Sequence, residues 1–272
     1  MVNYRQNEQT KKWIIISPKR AKRPGDDSQK KEKQQCPFCY GSEHLTPPEV
    51  YRTGEGEENK SGWKVRVVPN KFKITDIHEV IIHSPEHDLD LEDLRDDHVA
   101  SVFQAYKERY NFYRSEGRVI IFNNTGRGGA ESLEHDHSQL TVVSQRIALD
   151  SPKIGNVKNV ALENDFLTIF CPEFSEWPYE VWFVPKRRDL YFGDINDDEV
   201  SSFSTTLKKV VNIVKGEVAD LSYNYYIYPG KDWFLRFMPR ISVRGGFELA
   251  TGIMVNIKEP RDVMELIRNS LK

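Results

Sequence analysis

EVIIHSPEHDLDLEDLRDDHV (residues 79–99) returns 101 residues later as EVWFVPKRRDLYFGDINDDEV (residues 180–200), with 8 of 21 positions identical and no gap. Each copy opens on an apolar run of strand length, crosses a polar loop and closes on Asp-Asp, an acidic pair suited to a helix start. The helices that follow carry one apolar stripe each: Val99, Val102, Phe103, Tyr106 and Tyr110 in the first, and Val200, Phe203, Leu207, Val210 and Val214 in the second. After each helix comes another strand, with NNTG at 123–126 echoing YPG at 228–230. A last strand closes each copy, HSQLTVV (137–143) within HDHSQLTVV in the first and DWFLRFMPR (232–240) in the second. The chain reads as two related α+β halves from an internal duplication, joined near residues 145–160.

Outward from the repeat, strand patterns recur in KWIIIS (12–17), WKVRVVP (63–69), RVIIFNN (118–124), DFLTIF (165–170), YNYYIY (223–228) and LATGIMVN (249–256). A third helix is expected over Pro260 to Leu271. The 272 residues, 38% hydrophobic and 29% charged, support a sizeable core and exclude disorder of the whole chain. A net charge of -2 provides no global field to gather nucleic acid or an anionic membrane, although KRAKRP (19–24) is locally basic. No apolar run approaches the ~20 residues of a membrane span, and the start MVNYRQNEQTKK has no signal core, so a cytoplasmic protein is expected. Three cysteines make a poor disulfide framework, but CPFC (Cys36, Cys39) is a plausible half of a metal site. Cys171 reads as a buried strand residue.

The chemistry gathers in ESLEHDHSQ (131–139). In an extended strand His135, His137 and Gln139 share one face, while Leu140 and Val142 turn to the other. A hydrated strand edge with incidental histidines is the bland alternative. Against it stands NNTGRGGAES (123–132), whose glycines let backbone N–H groups turn inward on phosphate, with Asn124, Arg127 and Ser132 as side-chain donors. The CPFC thiolates, with His87 and His135, could complete a tetrahedral Cys2His2 zinc site; His44, beside the knuckle, competes with His87.

These motifs resemble the galactose-1-phosphate uridylyltransferase branch of the histidine triad superfamily, which includes sugar-nucleotide phosphorylases. The resemblance runs through WIIISPKRAKRP, CPFCYGSEHLTPPEV, WKVRVVPNKF, SPEH, FNNTGRGGAESLEHDHSQ, WPYEVWFVPK and GGFELATGIMVN. It implies two histidine-triad-like halves, a catalytic one with the zinc knuckle over 1–150 and a degenerate one over 151–272. His137 would attack the α-phosphorus of a nucleoside diphosphate sugar, forming a nucleotidyl-histidine and releasing a sugar 1-phosphate. Gln139 and Ser132 would donate to the transferred or leaving phosphate. By the same resemblance Arg20, Arg23, Asn70 and Asn124 bind nucleotide or phosphate, beside the loop of Gly126, Arg127 and Gly128 read above as a phosphate cradle, and Phe247 and Glu248 contact the hexose. Zinc would sit on Cys36, Cys39, His87 and His135, and a homodimer is expected, with no nucleic acid or membrane partner. Hydrolysis, with water as acceptor, and a silent nucleotide-binding protein are the competing classes.

The chain departs from that family in three places. Its second half lacks the Glu and His cluster of an additional metal site, with only Asp232, Phe234 and Arg236 near the matching strand. Asp136 and Ser138 replace the usual Pro and Gly between the motif residues, so an acidic side chain there could repel a phosphorylated substrate or turn away from it. The chain is also shorter than most members.

Overall fold

The computed structural model describes residues 2–18, 20 and 35–272, which form two compact units. One comprises Met1–Ile121 and Ser132–Pro152, the other Phe122–Glu131 and Lys153–Lys272.

The first unit begins with a small antiparallel pair, β1 (Tyr4–Gln6) and β2 (Trp13–Ile15). Its main sheet is built from β3 (Tyr51–Gly54), β4 (Trp63–Pro69), β5 (His78–Ile82), β6 (Arg118–Thr125, its last four residues in the other unit) and β7 (His137–Val143). The order is β3-β4-β5-β7-β6, and the first four are antiparallel neighbours. Helix α1 (Asp96–Tyr113) covers one face with the stripe expected of it, Val99, Val102, Phe103 and Tyr106 all being wholly buried.

Register decides what each face can do. Pairing of β5 with β7 sets Ile82 opposite His137, Val80 opposite Gln139 and His78 opposite Thr141. Directly paired residues project to the same side, so these six share the face away from α1. The alternate pairs, Ile81 with Ser138 and Glu79 with Leu140, turn towards the helix. There Arg109 grips Glu79 through two hydrogen bonds, 2.9 and 2.7 Å, and the Tyr113 hydroxyl donates to the same carboxylate at 2.7 Å. Burial, reinforced by Glu79, pushes the Tyr113 phenol up to about 12. On the opposite face Trp63, Val68, Val80 and Ile82 form an apolar cluster against which Phe38 packs.

The second unit orders its strands β11 (Tyr223–Ile227), β12 (Leu235–Pro239), β10 (Val181–Pro185), β9 (Leu167–Phe170) and β8 (Val160–Glu163), again antiparallel. Helix α2 (Asp197–Glu217) opens on a capping box: Asn196 accepts from the Glu199 N–H while Glu199 accepts from that of Asn196. Cys171 is buried just past the end of β9. The strand expected over LATGIMVN does not form. Gly246–Thr251 is a short helix, α3, whose start is capped by Glu248 accepting the Gly245 N–H and whose end is turned by Gly252 at φ +72°. Leu249, Ile253, Val255 and Ile257 are exposed, so this segment has no sheet face to pack on. The last helix, α4, runs Pro260–Ser270 as expected within one residue. No helix among the described residues is long and apolar enough to cross a membrane.

Candidate active site

The CPFC segment forms a tight turn, with the Cys39 N–H reaching the Cys36 carbonyl and the Ser42 N–H the Cys39 carbonyl. The two thiols thereby face His87, from the loop after β5, and His135, two residues before β7. Each Sγ lies 3.6 Å from His135 Nδ1, and Cys39 Sγ is 3.6 Å from His87 Nδ1. Tetrahedral zinc with bonds of about 2.3 Å to sulfur and about 2.05 Å to nitrogen requires S···N separations of about 3.6 Å. The donor set fits the ion. His135 Nε2–H donates to the Ser84 carbonyl at 2.7 Å, which leaves the Nδ1 lone pair facing the thiols, as a ligating imidazole requires. Burial pushes the His135 imidazole down to about 4, and burial beside Cys36 pushes the Cys39 thiol up to about 11. His44 is exposed and outside this group, so His87 is the fourth member.

Phe38, inside the knuckle, sets its ring edge-on to both histidines, with centroids 5.3 Å from His137 and 5.9 Å from His135. His137 Nδ1 lies 2.8 Å from the backbone carbonyl of His135. A carbonyl can only accept, so Nδ1 carries the proton and the neutral ring bears its lone pair on Nε2.

Gln139, two residues along the same face, has its Oε1 at 3.0 Å from His78 Nε2. The Ile74 N–H donates to His78 Nδ1 at 3.0 Å. Asn70 brackets the same imidazole, its Nδ2 3.3 Å from Nε2, while its Oδ1 accepts the Phe72 N–H at 2.7 Å. Arg20 Nη1 donates to the Phe72 carbonyl at 2.6 Å. Asn70 and Gln139, two residues expected at the site, thus meet at His78, which sequence reasoning passed over, while Arg20 reaches the adjoining loop at Phe72. The available signal was a histidine heading the apolar run EVII.

Asp136 turns away from this face. It accepts from His83 Nδ1 at 2.7 Å, and His83 Nε2 lies 2.9 Å from both the Tyr106 hydroxyl and Ser138 Oγ. All four side chains are buried. The acidic residue between the motif histidines therefore belongs to a network on the α1 side of the sheet.

Ser132 is half-buried in the loop leading to His135. Arg23 lies outside the described residues. The second unit contains Asn124, Gly126, Arg127, Gly128, Phe247 and Glu248. Its glycine loop is held by its own surroundings: the Gly126 N–H donates to Glu131 at 2.8 Å and the Gly128 N–H to Ser222 Oγ at 3.1 Å. Asn224 donates to Asn124 Oδ1 at 2.8 Å and to the Gly129 carbonyl at 2.7 Å. Glycine is needed at 126 for its φ of +71° and at 129 because a Cβ would stand 2.6 Å from the Tyr223 carbonyl. Phe247 is exposed, and Glu248 caps its own short helix.

Residues 72–146 match the model of the galactose-1-phosphate uridyl transferase N-terminal domain. An ADP-glucose phosphorylase of Arabidopsis thaliana is 26% identical, covering 97% of this chain and 92% of its own length. A galactose-1-phosphate uridylyltransferase of Thermotoga maritima is 23% identical, covering 77% of this chain and 74% of its own. The crystal structure of an ADP-glucose phosphorylase from Arabidopsis thaliana with bound ADP-glucose superposes with a TM-score of 0.76 at 25% identity, over 98% of each chain.

Proposed function

We propose that this chain, which belongs to the galactose-1-phosphate uridylyltransferase-like family of the histidine triad superfamily, moves a nucleoside monophosphate through a covalent nucleotidyl-histidine. The donor is a nucleoside diphosphate sugar, and the acceptor is a sugar 1-phosphate or inorganic phosphate. Nε2 of His137 attacks the α-phosphorus, a P–N bond forms, and the P–O bond to the β-phosphate breaks, so the sugar 1-phosphate leaves with the electron pair. An acceptor phosphate oxygen then attacks the same phosphorus and the imidazole departs with its lone pair restored.

The observation that carries this reading is the 2.8 Å hydrogen bond from His137 Nδ1 to the His135 carbonyl, because it holds the ring in the tautomer a nucleophile needs. Gln139 and Ser132 serve as donors to the phosphoryl oxygens, and Arg20 and Asn70 receive the nucleotide. In the same reading Arg23, Asn124, Gly126, Arg127 and Gly128 help bind nucleotide or phosphate, and Phe247 and Glu248 meet the hexose. Residues 1–150 then form the catalytic half and 151–272 the degenerate one, in a cytoplasmic homodimer. Zinc on Cys36, Cys39, His87 and His135 supplies a structural brace beneath the nucleophile. ADP-glucose is the first donor to test, since a relative aligned over 97% of this chain bears that name.

Intact-protein mass spectrometry after incubation with ADP-glucose, UDP-glucose, UDP-galactose or GDP-mannose tests the reading. A gain of one nucleoside monophosphate, missing in His137→Ala, is the expected result. Zinc-loaded protein that takes no adduct from any donor would end it.

A further inference from the structure

We infer that His78 is a positioning residue that holds the Gln139 carboxamide in the one orientation useful to a phosphoryl group. The inference rests on the reading above, in which Gln139 donates to the transferred phosphate. A carboxamide has a donating and an accepting end of nearly the same shape, so a side chain required to donate must be prevented from turning over. The Ile74 backbone N–H, 3.0 Å from His78 Nδ1, can only donate. Nδ1 therefore accepts, the ring proton resides on Nε2, and that N–H donates to Gln139 Oε1 at 3.0 Å. With its oxygen tied to His78, Gln139 presents its NH2 end elsewhere along the face it shares with His137. The same logic excludes a hydrogen bond from Asn70 Nδ2 to His78 Nε2, since the contact at 3.3 Å sets donor beside donor.

Geometry makes the arrangement stiff. His78 heads β5 opposite Thr141, diagonal to Gln139, and is 2% exposed. The Asn70 N–H donates to its backbone carbonyl at 2.9 Å, so backbone and ring are both held. A carboxamide turned over would aim an oxygen at a phosphoryl oxygen, converting a donor into a repulsive contact.

Two experiments separate this inference from the transferase reading. The first follows single-turnover nucleotidylation with ADP-glucose and with its two diastereomers carrying sulfur at the α-phosphorus, in wild type, His78→Phe, His78→Gln, Gln139→Ala and the double variant His78→Phe with Gln139→Ala. Zinc content and melting temperature serve as folding controls. Expected for His78→Phe is a rate loss of roughly 10- to 100-fold, within the range for losing one oriented donor and its support. The rate ratio between diastereomers should fall towards that of Gln139→Ala, and the double variant should be no slower than Gln139→Ala alone. His78→Gln, which keeps an N–H near the position of Nε2, should recover much of the rate. Losses that multiply in the double variant, with the diastereomer ratio of His78→Phe unchanged, would overturn the inference and leave a packing role.

The second experiment needs no turnover. Nitrogen-15 spectra of the wild-type histidine rings should show His78 with its proton on Nε2, and the Gln139 side-chain amide signal should shift in His78→Gln. A proton on Nδ1 overturns the inference even in active enzyme. Absence of any adduct in wild type ends the transferase reading instead, while the ring spectra still judge the orientation.

Discussion

His137 stands opposite Ile82 in the first unit, and Leu235 stands opposite Phe183 in the second; Ile82 and Phe183 occupy the same place in the repeated segment. By this register Gln139 corresponds to Phe237 and Ser138 to Arg236. Leu235 and Phe237 are wholly buried. One backbone frame thus presents an imidazole and a carboxamide on one copy and core side chains on the other. The loops after β5 and β10 differ in the same sense. His87 meets two thiols and a second histidine, whereas its counterpart Arg188 donates to Asp232 at 2.9 Å across an exposed ion pair. The frame is set by pairing and by the helix stripe, and the chemistry is carried by a few side chains that the frame tolerates either way.

The sharpest way to break the comparison is to write the second unit's residue into the first. His137→Leu should abolish the adduct and lower transfer by roughly 10⁴-fold or more, as removal of a covalent nucleophile does. Its melting temperature should stay close to wild type, since leucine already serves at that register; an active His137→Leu would remove the functional half of the contrast. Next in size is the metal. Cys36→Ser, read by zinc analysis and thermal unfolding, should lose zinc and several kcal/mol of stability, because ligand binding and folding of the knuckle are one process. Full stability without metal would show that the two loops are held alike.

Smaller effects sharpen the picture. Arg109→Met strands the buried Glu79 carboxylate and should cost about 3–5 kcal/mol in denaturant unfolding. Arg236→Met removes the guanidinium that reaches Glu180 at 2.6 Å but leaves that carboxylate accepting from Ser175, Trp182 and two backbone N–H groups, and should cost less. Both units therefore anchor the glutamate that opens their repeat, the first from the helix and the second from the neighbouring strand. Smallest of all, Arg188→Ala should change stability by less than about 1 kcal/mol, the usual range for an exposed pair. A larger loss would mean that the ion pair substitutes for the zinc in strength as well as in place.

Much of this was legible in the chain. β4 and β7 match their expected runs end to end, because a run bounded by turn residues and half or wholly buried leaves little choice of limits. The α1 stripe was readable for the same reason. The metal quartet was suggested by the CPFC pair and two histidines and strengthened by family likeness, since Cys36, Cys39, His87 and His135 lie too far apart in the chain for spacing alone to join them. What failed depended on partners. Asp136 could be placed only once His83 was known to stand across from it. LATGIMVN misled because apolar content was weighed above its flanking signals, a Gly-x-x-Glu start and a glycine stop.

The network of Asp136, His83, Tyr106 and Ser138 has a consequence for descent. Exchanging Asp136 alone for proline removes the carboxylate that takes the His83 Nδ1–H, and exchanging Ser138 alone for glycine removes a hydroxyl beside Nε2. The first step strands a buried ring N–H, a penalty of about 1–3 kcal/mol until its neighbour changes as well, whereas after the second the Tyr106 hydroxyl still stands 2.9 Å from Nε2. Asp136 is therefore epistatic with His83, just past the end of β5, and a lineage passes between the two forms of the motif by changing that pair together.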